Sequence, residues 1–518
     1  FSAEDSIRWL AQDNVAKGYI VDLIEFAEAS DKGYETRIDD VRALRADLAR
    51  QLHLLGAGVI LSKLCKSDTL ASTLFIRLLE PHVSETIINF DSVVDIKFDQ
   101  HFDLNIERHR LLLKILRNSQ LVRSVSLPPA VSRSENASFY AEGSQAKLPT
   151  RISGQDYPKV GVIDSGITNA AVKEWCIKTS NGFDPNDCDP HHGSQVASLL
   201  VGGKSLNPEL DGLEDDGCLI YDIWMPVRND NSRFHSYFEA YGEFFDWLDL
   251  EVRAAVRDGV KIFNLSINFK EYVRDDAYSF SASQIDRISK KHNVLFVISA
   301  GNLTPLDYRQ SWPSGTALLS DIDRLSQPSE AVTAVTVGAI NPPGCEKNIH
   351  GAPTIYTRRG PGVSMGVKPD VVHYGGFVQR GNATTGLVSA NGNGKFIQES
   401  GTSFSAPLVA KMLASLDYRT GKVLTRNALV AMLIHHSRFP TPLLEKSVSS
   451  YVRRRYVGFG TPTVSENSLV TDDCTITLLF EGNLKKGEVV EFEFKWPNSL
   501  FKNGKCFGAA TLTLVYDS

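Results

Sequence analysis

No stretch of this 518-residue chain is apolar for long enough to cross a bilayer, so a helical membrane span is not expected. No Lys/Arg tract interleaves with aromatic residues, and a net charge of −6 is mild for the length, which argues against a nucleic-acid partner. CxxC spacings are missing as well. The seven cysteines, Cys65, Cys176, Cys188, Cys218, Cys345, Cys474 and Cys506, are odd in number and scattered. That argues against a disulfide framework or a zinc site and for reduced thiols in a cytoplasmic setting. Cys176 and Cys188 share one loop-like region and are the pair an oxidising compartment would join. The first residues, FSAEDSIRWLAQD, lack the basic-then-apolar pattern of a signal peptide, but the chain opens on Phe1, so a removed leader and secretion stay open as the alternative. What is present is an ordinary globular composition, 42% hydrophobic and 22% charged, in a chain long enough for two or three domains.

Residues 1–70 read as helical. In TRIDDVRALRADLARQLHLLG the apolar set Ile38, Val41, Leu44, Leu48, Leu52 and Leu55 recurs at steps of three and four, the packing face of a long helix ending at Gly56. Residues 71–130 read as a small α+β unit, with TLFIRLL, SVVDIKF and LVRSVSL as strands and NIERHRLLLKILRN as a helix. Residues 131–157 carry Ser, Glu, Asn, Gly and Pro and read as a linker. From 158 to 463 the apolar runs KVGVID, CLIYDIWMPV, VKIFNLSI, NVLFVISA and AVTAVTVGAI alternate with helical segments. That alternation predicts an α/β domain, a mostly parallel sheet with helices on both faces, whose ligands bind outside the carboxyl ends of the strands. In residues 464–518, CTITLLF, GEVVEFEFKW and AATLTLVYD alternate apolar and polar, which predicts a small antiparallel β module packed on the larger domain.

The chemistry gathers around GTSFSAP at residues 401–407. A glycine, two residues that favour an N-cap and a following apolar run at helical spacing put Ser403 at a helix start, with Pro407 expected in the first turn. Free N–H groups and the positive end of the helix dipole would converge there on a developing oxyanion. Taken alone the stretch is equally an ordinary capped helix. Three other stretches decide the reading. Asp164 ends the strand KVGVID, His192 begins a helical run in HHGSQVASLLVG, and Asn302 follows the strand VLFVISA and the turn residue Gly301. A serine hydroxyl needs an imidazole to take its proton, the imidazole needs a carboxylate to fix its tautomer, and the tetrahedral oxyanion needs a donor amide. His191 reads as a surface neighbour of His192, and Ser405 as a local hydrogen-bonding residue.

The order Asp, His, Asn, Ser in DSG, HGSQVA, SAGN and GTSFSAP resembles the subtilisin-like serine peptidases, the subtilases. NLS at 264–266, WPS at 312–314 (where members carry a Tyr-Pro-Ala-like turn), VTVGAI, RRGPG and KPD at 368–370 fall in the family's order, and the likeness covers roughly residues 158–440. The resemblance implies a serine endopeptidase acting on protein or peptide substrates. Asp164 would orient, His192 would act as general base and acid, Ser403 as nucleophile, and Asn302 with the Ser403 N–H as oxyanion hole. Ser266, Ile267, Asn268, Ala300 and Gly301 would bind an extended substrate by strand addition. Two departures stand out: Ser194 replaces the usual Thr, and Ser266 is followed by Ile267, Asn268 and Phe269 where the family has Leu-Gly-Gly, which implies a reshaped acceptor site. The stretch between Asn302 and Ala331 is long enough to carry a loop over the cleft. The likeness implies no cofactor for the reaction, and any structural calcium would sit among scattered loop oxygens that no local motif marks. Residues 71–130 resemble, more weakly, a subtilase propeptide whose trailing strand enters the cleft. Some family members are associated with AAA-type ATPases, which makes such a partner an expectation. The alternative from another class is a catalytically silent subtilase fold used for peptide binding or assembly.

Overall fold

A computed structural model describes the chain apart from residues 13–14, 25–33, 67–71, 83–84, 95–100, 131–137, 141–146, 228–233, 239–240, 270, 275–276, 310–311, 313–320, 345–348, 380–381, 445–448, 470–475, 492, 494–499, 509 and 518. The N-terminal part departs from the expected helical segment followed by a separate α+β unit. Strands β1 (Tyr19–Leu23), β2 (Val59–Lys63), β3 (Thr73–Leu78), β4 (Ile87–Ile88) and β5 (Val122–Ser126) form one sheet in the order β4-β2-β3-β1-β5. The division near residue 70 therefore cuts through the β2–β3 pair. Short strands buried on both faces carry no period-two signal, which hid β1 and β2. Helices α1 (Ala3–Leu10), α2 (Tyr34–Leu52) and α3 (Ile106–Asn118) cover one face, where Leu48, Leu52, Leu112 and Leu116 meet Tyr19, Val21, Leu74 and Ile76. The helix with the expected stripe continues as a 3₁₀ turn to Leu55 and stops at Gly56, whose φ is 79°. Of the expected strand SVVDIKF, residues 95–98 lie outside the described residues.

After β6 (Ser138–Tyr140), β7 (Lys159–Asp164), β8 (Cys176–Ser180), β9 (Leu219–Trp224), β10 (Ile262–Leu265), β11 (Leu295–Ser299), β12 (Val335–Ile340) and β13 (Val371–Tyr374) form a seven-stranded sheet in the order β13-β12-β11-β10-β7-β9-β8. Every pair in it is parallel. Its strands alternate between two cores, as a sheet buried on both faces must. On β11, Phe296 and Ile298 enter the core with α7 (Tyr241–Arg257) and α8 (Phe280–His292). Leu295 and Val297 enter the other, with α5 (Pro190–Leu206), α9 (Thr402–Arg419) and α10 (Arg426–His435). Shorter helices are α4 (Ala170–Lys173), α6 (Phe234–Tyr237), α11 (Ser450–Val457) and α12 (Ser465–Ser468). The winding reverses between β7 and β10, the place where open α/β sheets bind their ligands.

The N-terminal sheet turns its second face to this domain. Ile20, Leu64 and Phe75 share one apolar core with Tyr241, Phe244 and Phe245 of α7. Gly242 is required there, because a side-chain carbon would overlap the Leu64 carbonyl oxygen. The expected linker contributes structure too: β6 pairs antiparallel with β17 (Phe396–Glu399), which pairs with β16 (Leu387–Ala390). A small hairpin, β14 (Phe377–Gln379) with β15 (Asn382–Thr385), precedes them.

The C-terminal β module is not formed among the described residues. Only β18 (Phe501–Lys502) and β19 (Lys505–Cys506) pair, while Ile476, Leu478, Leu512 and Leu514 are exposed. Alternation says which residues would share a face but not whether a partner strand reaches them. The segment touches α10 through Asp517 with Arg426 and through Thr513 Oγ1, 3.1 Å from His435 Nδ1. Cys176 and Cys188 are both free thiols, as are Cys65, Cys218 and Cys506. Among the described residues no helix is long and apolar enough to cross a membrane.

Candidate active site

Asp164 is the last residue of β7 and is almost fully buried. Its Oδ1 accepts from the Ser165 N–H at 2.7 Å and the Ser165 hydroxyl at 3.1 Å, and His192 Nδ1 stands 2.8 Å from Oδ1 and 3.1 Å from Oδ2. Burial alone pushes this carboxyl up. The His192 ring and the Ser165 donors outweigh it and hold the group below its ordinary range, so it is ionised. An ionised carboxylate only accepts, so His192 Nδ1 carries the proton and Nε2 is left as the basic nitrogen. His192 is the third residue of α5, whose first turn is set by Asp189, accepting from the His191 N–H at 3.3 Å, and by Pro190. Gly193 follows because a side chain would overlap the Gly166 carbonyl, so α5 rests directly on the turn after Asp164. Ser194 fastens the same contact: its hydroxyl donates to Pro190 O at 2.6 Å and accepts from the Thr168 N–H at 3.0 Å.

Ser403 is the second residue of α9, so its N–H has no intrahelical acceptor. The helix is not capped by Thr402 or Ser403, as the sequence suggests; Gly401 is the cap residue and provides no side chain. Asn302 does that work from the loop after β11. Its Oδ1 accepts from the Thr402 N–H at 2.9 Å and the Thr402 hydroxyl at 3.0 Å, and Thr402 Oγ1 in turn accepts from the Gly301 N–H at 3.1 Å. Fixing the amide oxygen fixes the opposite, NH₂ end of the side chain.

Pro407 is the sixth residue of α9, not in the first turn as expected, and it deprives the Ser403 carbonyl of its helical donor. The Ser266 hydroxyl replaces that donor at 3.0 Å, and the Ser403 hydroxyl donates back to Ser266 O at 3.1 Å. Among the described residues no hydrogen bond joins Ser403 to His192. The two halves meet through Phe404, whose ring lies 5.7 Å from the imidazole. Ser405 donates to Thr402 O at 2.9 Å, the local role expected of it.

The five expected substrate-binding residues divide. Ser266 is tied to Ser403 as above, and Gly301 lies in the turn with Asn302. The Ile267 side chain enters the α7/α8 core. Asn268 is locked to Ser299, donating from Nδ2 to its carbonyl and accepting from its hydroxyl, both at 2.8 Å. Ala300 has both backbone groups engaged, its N–H on Val337 O at 2.9 Å and its carbonyl accepting from Ser326 N at 3.2 Å, so it offers no edge to an added strand. His191 is half-buried rather than at the surface.

Sequence reasoning missed the wall made by residues 325–327, which bond to the strand after Ser266 through Phe269 N to Gln327 O at 2.8 Å and Val273 N to Leu325 O at 2.9 Å. Trp312 is not part of that wall. It packs on Tyr456, ring centroids 4.9 Å apart, while Pro313 and Ser314 lie outside the described residues. Arg358 was also missed: it donates from Nε to Asn302 O at 2.9 Å and lies over the Tyr272 ring at 4.4 Å. Of the expected loop over the cleft, residues 310–311 and 313–320 lie outside the described residues. Among the described residues no group of three or more His, Cys, Asp or Glu is arranged to hold a metal ion.

A model of the subtilase family, peptidase S8, matches residues 155–460. A curated relative, the uncharacterized protein y4bN of Sinorhizobium fredii (strain NBRC 101917 / NGR234), is 28% identical over 298 residues, covering 50% of this chain and 67% of the relative. Among solved structures, the epidermin leader peptide processing serine protease of Staphylococcus aureus is similar at 13% identity with a TM-score of 0.45, covering 88% of this chain and all (100%) of that one. The prenylagaramide maturation protease PagA is similar at 18% identity and a TM-score of 0.39, covering 60% and 93%. MycP1 of Mycobacterium smegmatis is similar at 17% and 0.40, covering 66% and 92%.

Proposed function

The chain belongs to the subtilase family, a family of serine peptidases, and from that premise we propose that it is a serine endopeptidase working through Asp164, His192, Ser403 and Asn302. The observation that carries this reading is the ionised Asp164 on His192 Nδ1, which leaves Nε2 basic on the side of the ring free to take a serine proton. The Ser403 hydroxyl leaves Ser266 O, gives its proton to Nε2 and attacks the scissile carbonyl. The imidazolium is stabilised by Asp164, and the oxyanion by the Asn302 NH₂ and the Ser403 N–H. Nε2 then returns the proton to the leaving amine, and water releases the acyl group by the same steps in reverse order. Apo geometry of this kind tightens when substrate arrives, so the missing Ser403–His192 bond is compatible with the mechanism.

We further assign the N-terminal unit a regulatory role, supported by the core it shares with α7. Residues 127–130 trail back onto that unit: Trp9 Nε1 donates to Pro128 O at 2.8 Å and Ala130 is buried in the unit's own core, so this part of the strand stays out of the cleft. An AAA-type ATPase partner rests on the family resemblance alone. A cytoplasmic setting is supported by the free thiols, buried Cys65 and Cys218 among them. A fluorophosphonate probe tests the central reading. It labels the wild-type chain and not Ser403→Ala; a folded wild-type chain that stays unlabelled makes the protein a silent subtilase fold instead.

A further inference from the structure

Asn302 sits in the loop after β11, outside any strand, and its main chain meets Thr357 across an isolated bridge. Leu303 N donates to Tyr356 O at 2.8 Å and Arg358 N to Gly301 O at 3.1 Å, so residues 356–358 run antiparallel beside 301–303. The Arg358 side chain folds back over the same loop. Its stem lies on Gly301, where a side-chain carbon would come 2.9 Å from Arg358 Cδ and 2.5 Å from Ser326 Oγ. Its guanidinium reaches carbonyls on two segments: Nε donates to Asn302 O at 2.9 Å, and Nη1 donates to Ile322 O at 2.8 Å and to Arg324 O at 2.9 Å. The guanidinium carbon lies 4.4 Å from the centre of the Tyr272 ring. Arg358 is 4% exposed, and no carboxylate among the described residues accepts a hydrogen bond from it. Asp323, which lies between two of those carbonyls in the chain, pairs instead with Arg309 and Arg359.

Thr402 grips the far end of the Asn302 side chain through Oδ1, which leaves the main chain of a loop residue in need of its own anchor. The need is real, since misplacing a catalytic group by about 1 Å costs about a hundredfold in rate. Three acceptors on two segments call for a planar fork with fixed directions, which a lysine ammonium lacks. A guanidinium also stays charged when buried and brings no negative group towards a forming oxyanion. We propose that Arg358 is a positioning residue for the oxyanion donor: it ties the Asn302 main chain to residues 322–324 while Thr402 holds the amide oxygen, so the NH₂ is fixed from both ends. The inference rests on the peptidase reading above, in which that NH₂ meets the oxyanion.

The test uses the full chain and a fluorogenic peptide. Arg358→Met, which keeps the stem and loses the fork, lowers kcat by about ten- to a hundredfold and leaves KM within about twofold. Arg358→Lys keeps the charge without the fork, and its kcat falls nearly as far. In an Asn302→Leu background Arg358→Met lowers kcat by less than about twofold more, because the group it acts through is gone. In a crystal structure of Arg358→Met, Asn302 Oδ1 no longer stands 2.9 Å from Thr402 N. Should the Arg358 variants not fold, Tyr272→Ala takes their place. That ring is 43% exposed, and its loss from the guanidinium lowers kcat about threefold or more; an unchanged rate overturns the inference. So do a wild-type kcat in Arg358→Lys, a full multiplicative loss in the Asn302→Leu background, or an unmoved Asn302 amide in the Arg358→Met structure. Absence of fluorophosphonate labelling in the wild type overturns the peptidase reading instead, and the crystal structure still decides whether Arg358 positions Asn302.

Discussion

Asn302 performs two tasks with two ends of one side chain, and they separate by substitution. Its Oδ1 receives the Thr402 N–H at 2.9 Å and the Thr402 hydroxyl at 3.0 Å, while its NH₂ is the proposed oxyanion donor. Asn302→Asp keeps the acceptor and replaces the donor by a second oxygen. The start of α9 stays capped, so unfolding by denaturant moves by less than about 1 kcal/mol. Turnover falls by about a hundred- to a thousandfold, ~2.7–4 kcal/mol of transition-state stabilisation, a range measured for this donor in a member of the same family. KM changes little, since the donor acts where charge develops. Asn302→Leu removes both ends, and the buried Thr402 N–H loses its acceptor. It adds a stability loss of about 1–3 kcal/mol to the same fall in turnover. Steady-state kinetics on a fluorogenic peptide with parallel denaturant melts separates the variants. If Asn302→Asp keeps kcat within about threefold of wild type, the amide is a helix cap only and the oxyanion assignment is wrong.

Three further outcomes follow from single contacts. His192→Gln abolishes fluorophosphonate labelling, while His191→Gln leaves the rate within about threefold, because only His192 is held on Asp164; the reverse pattern would exchange their roles. Gly242→Ala forces α7 away from the Leu64 carbonyl, costs about 1–3 kcal/mol, and exposes the N-terminal unit to limited proteolysis before the α/β domain. Burial pushes Glu330 from 4.5 up to about 7, so between those values the native chain holds a proton that the unfolded chain has lost. Stability therefore falls as pH rises through that window and stays lower above it. Near pH 8, Glu330→Gln is more stable than wild type by roughly 2–3 kcal/mol, with no gain near pH 4, as chemical denaturation at the two values would reveal.

The sheet and the four candidate residues were legible because both depend on local signals. The apolar runs that hold β7 and β10–β12 are conspicuous, with helices α7 and α8 flanking β10, and Asp164, His192, Asn302 and Ser403 each sit beside a residue that marks a strand end or helix start. What the sequence hid is pairing between distant segments. β1 and β2 are five-residue strands buried by partners far along the chain, and β6 lies in a stretch whose composition reads as linker. The C-terminal runs have the opposite fault: their alternation is clear, yet nothing local reveals that, among the described residues, no strand pairs with this segment.

The strand after Ser266 illustrates how a departure from a family pattern is resolved by packing. Where the family has Gly-Gly, this chain has Asn268 and Phe269. The Asn268 amide is spent on Ser299, and the Phe269 ring sits 5.2 Å from Tyr241 in the core that also holds Ile20 and Phe75 of the N-terminal unit. The side chains that glycine would have omitted thus tie the acceptor strand inward, to the helix on which the N-terminal sheet rests. Ser266 meanwhile satisfies the carbonyl that Pro407 leaves without a helical donor. One strand therefore couples the nucleophile at one end to the docked unit at the other. A change that loosens the docking of the N-terminal unit, Gly242→Ala among them, is expected to alter kcat/KM on extended substrates as well as stability.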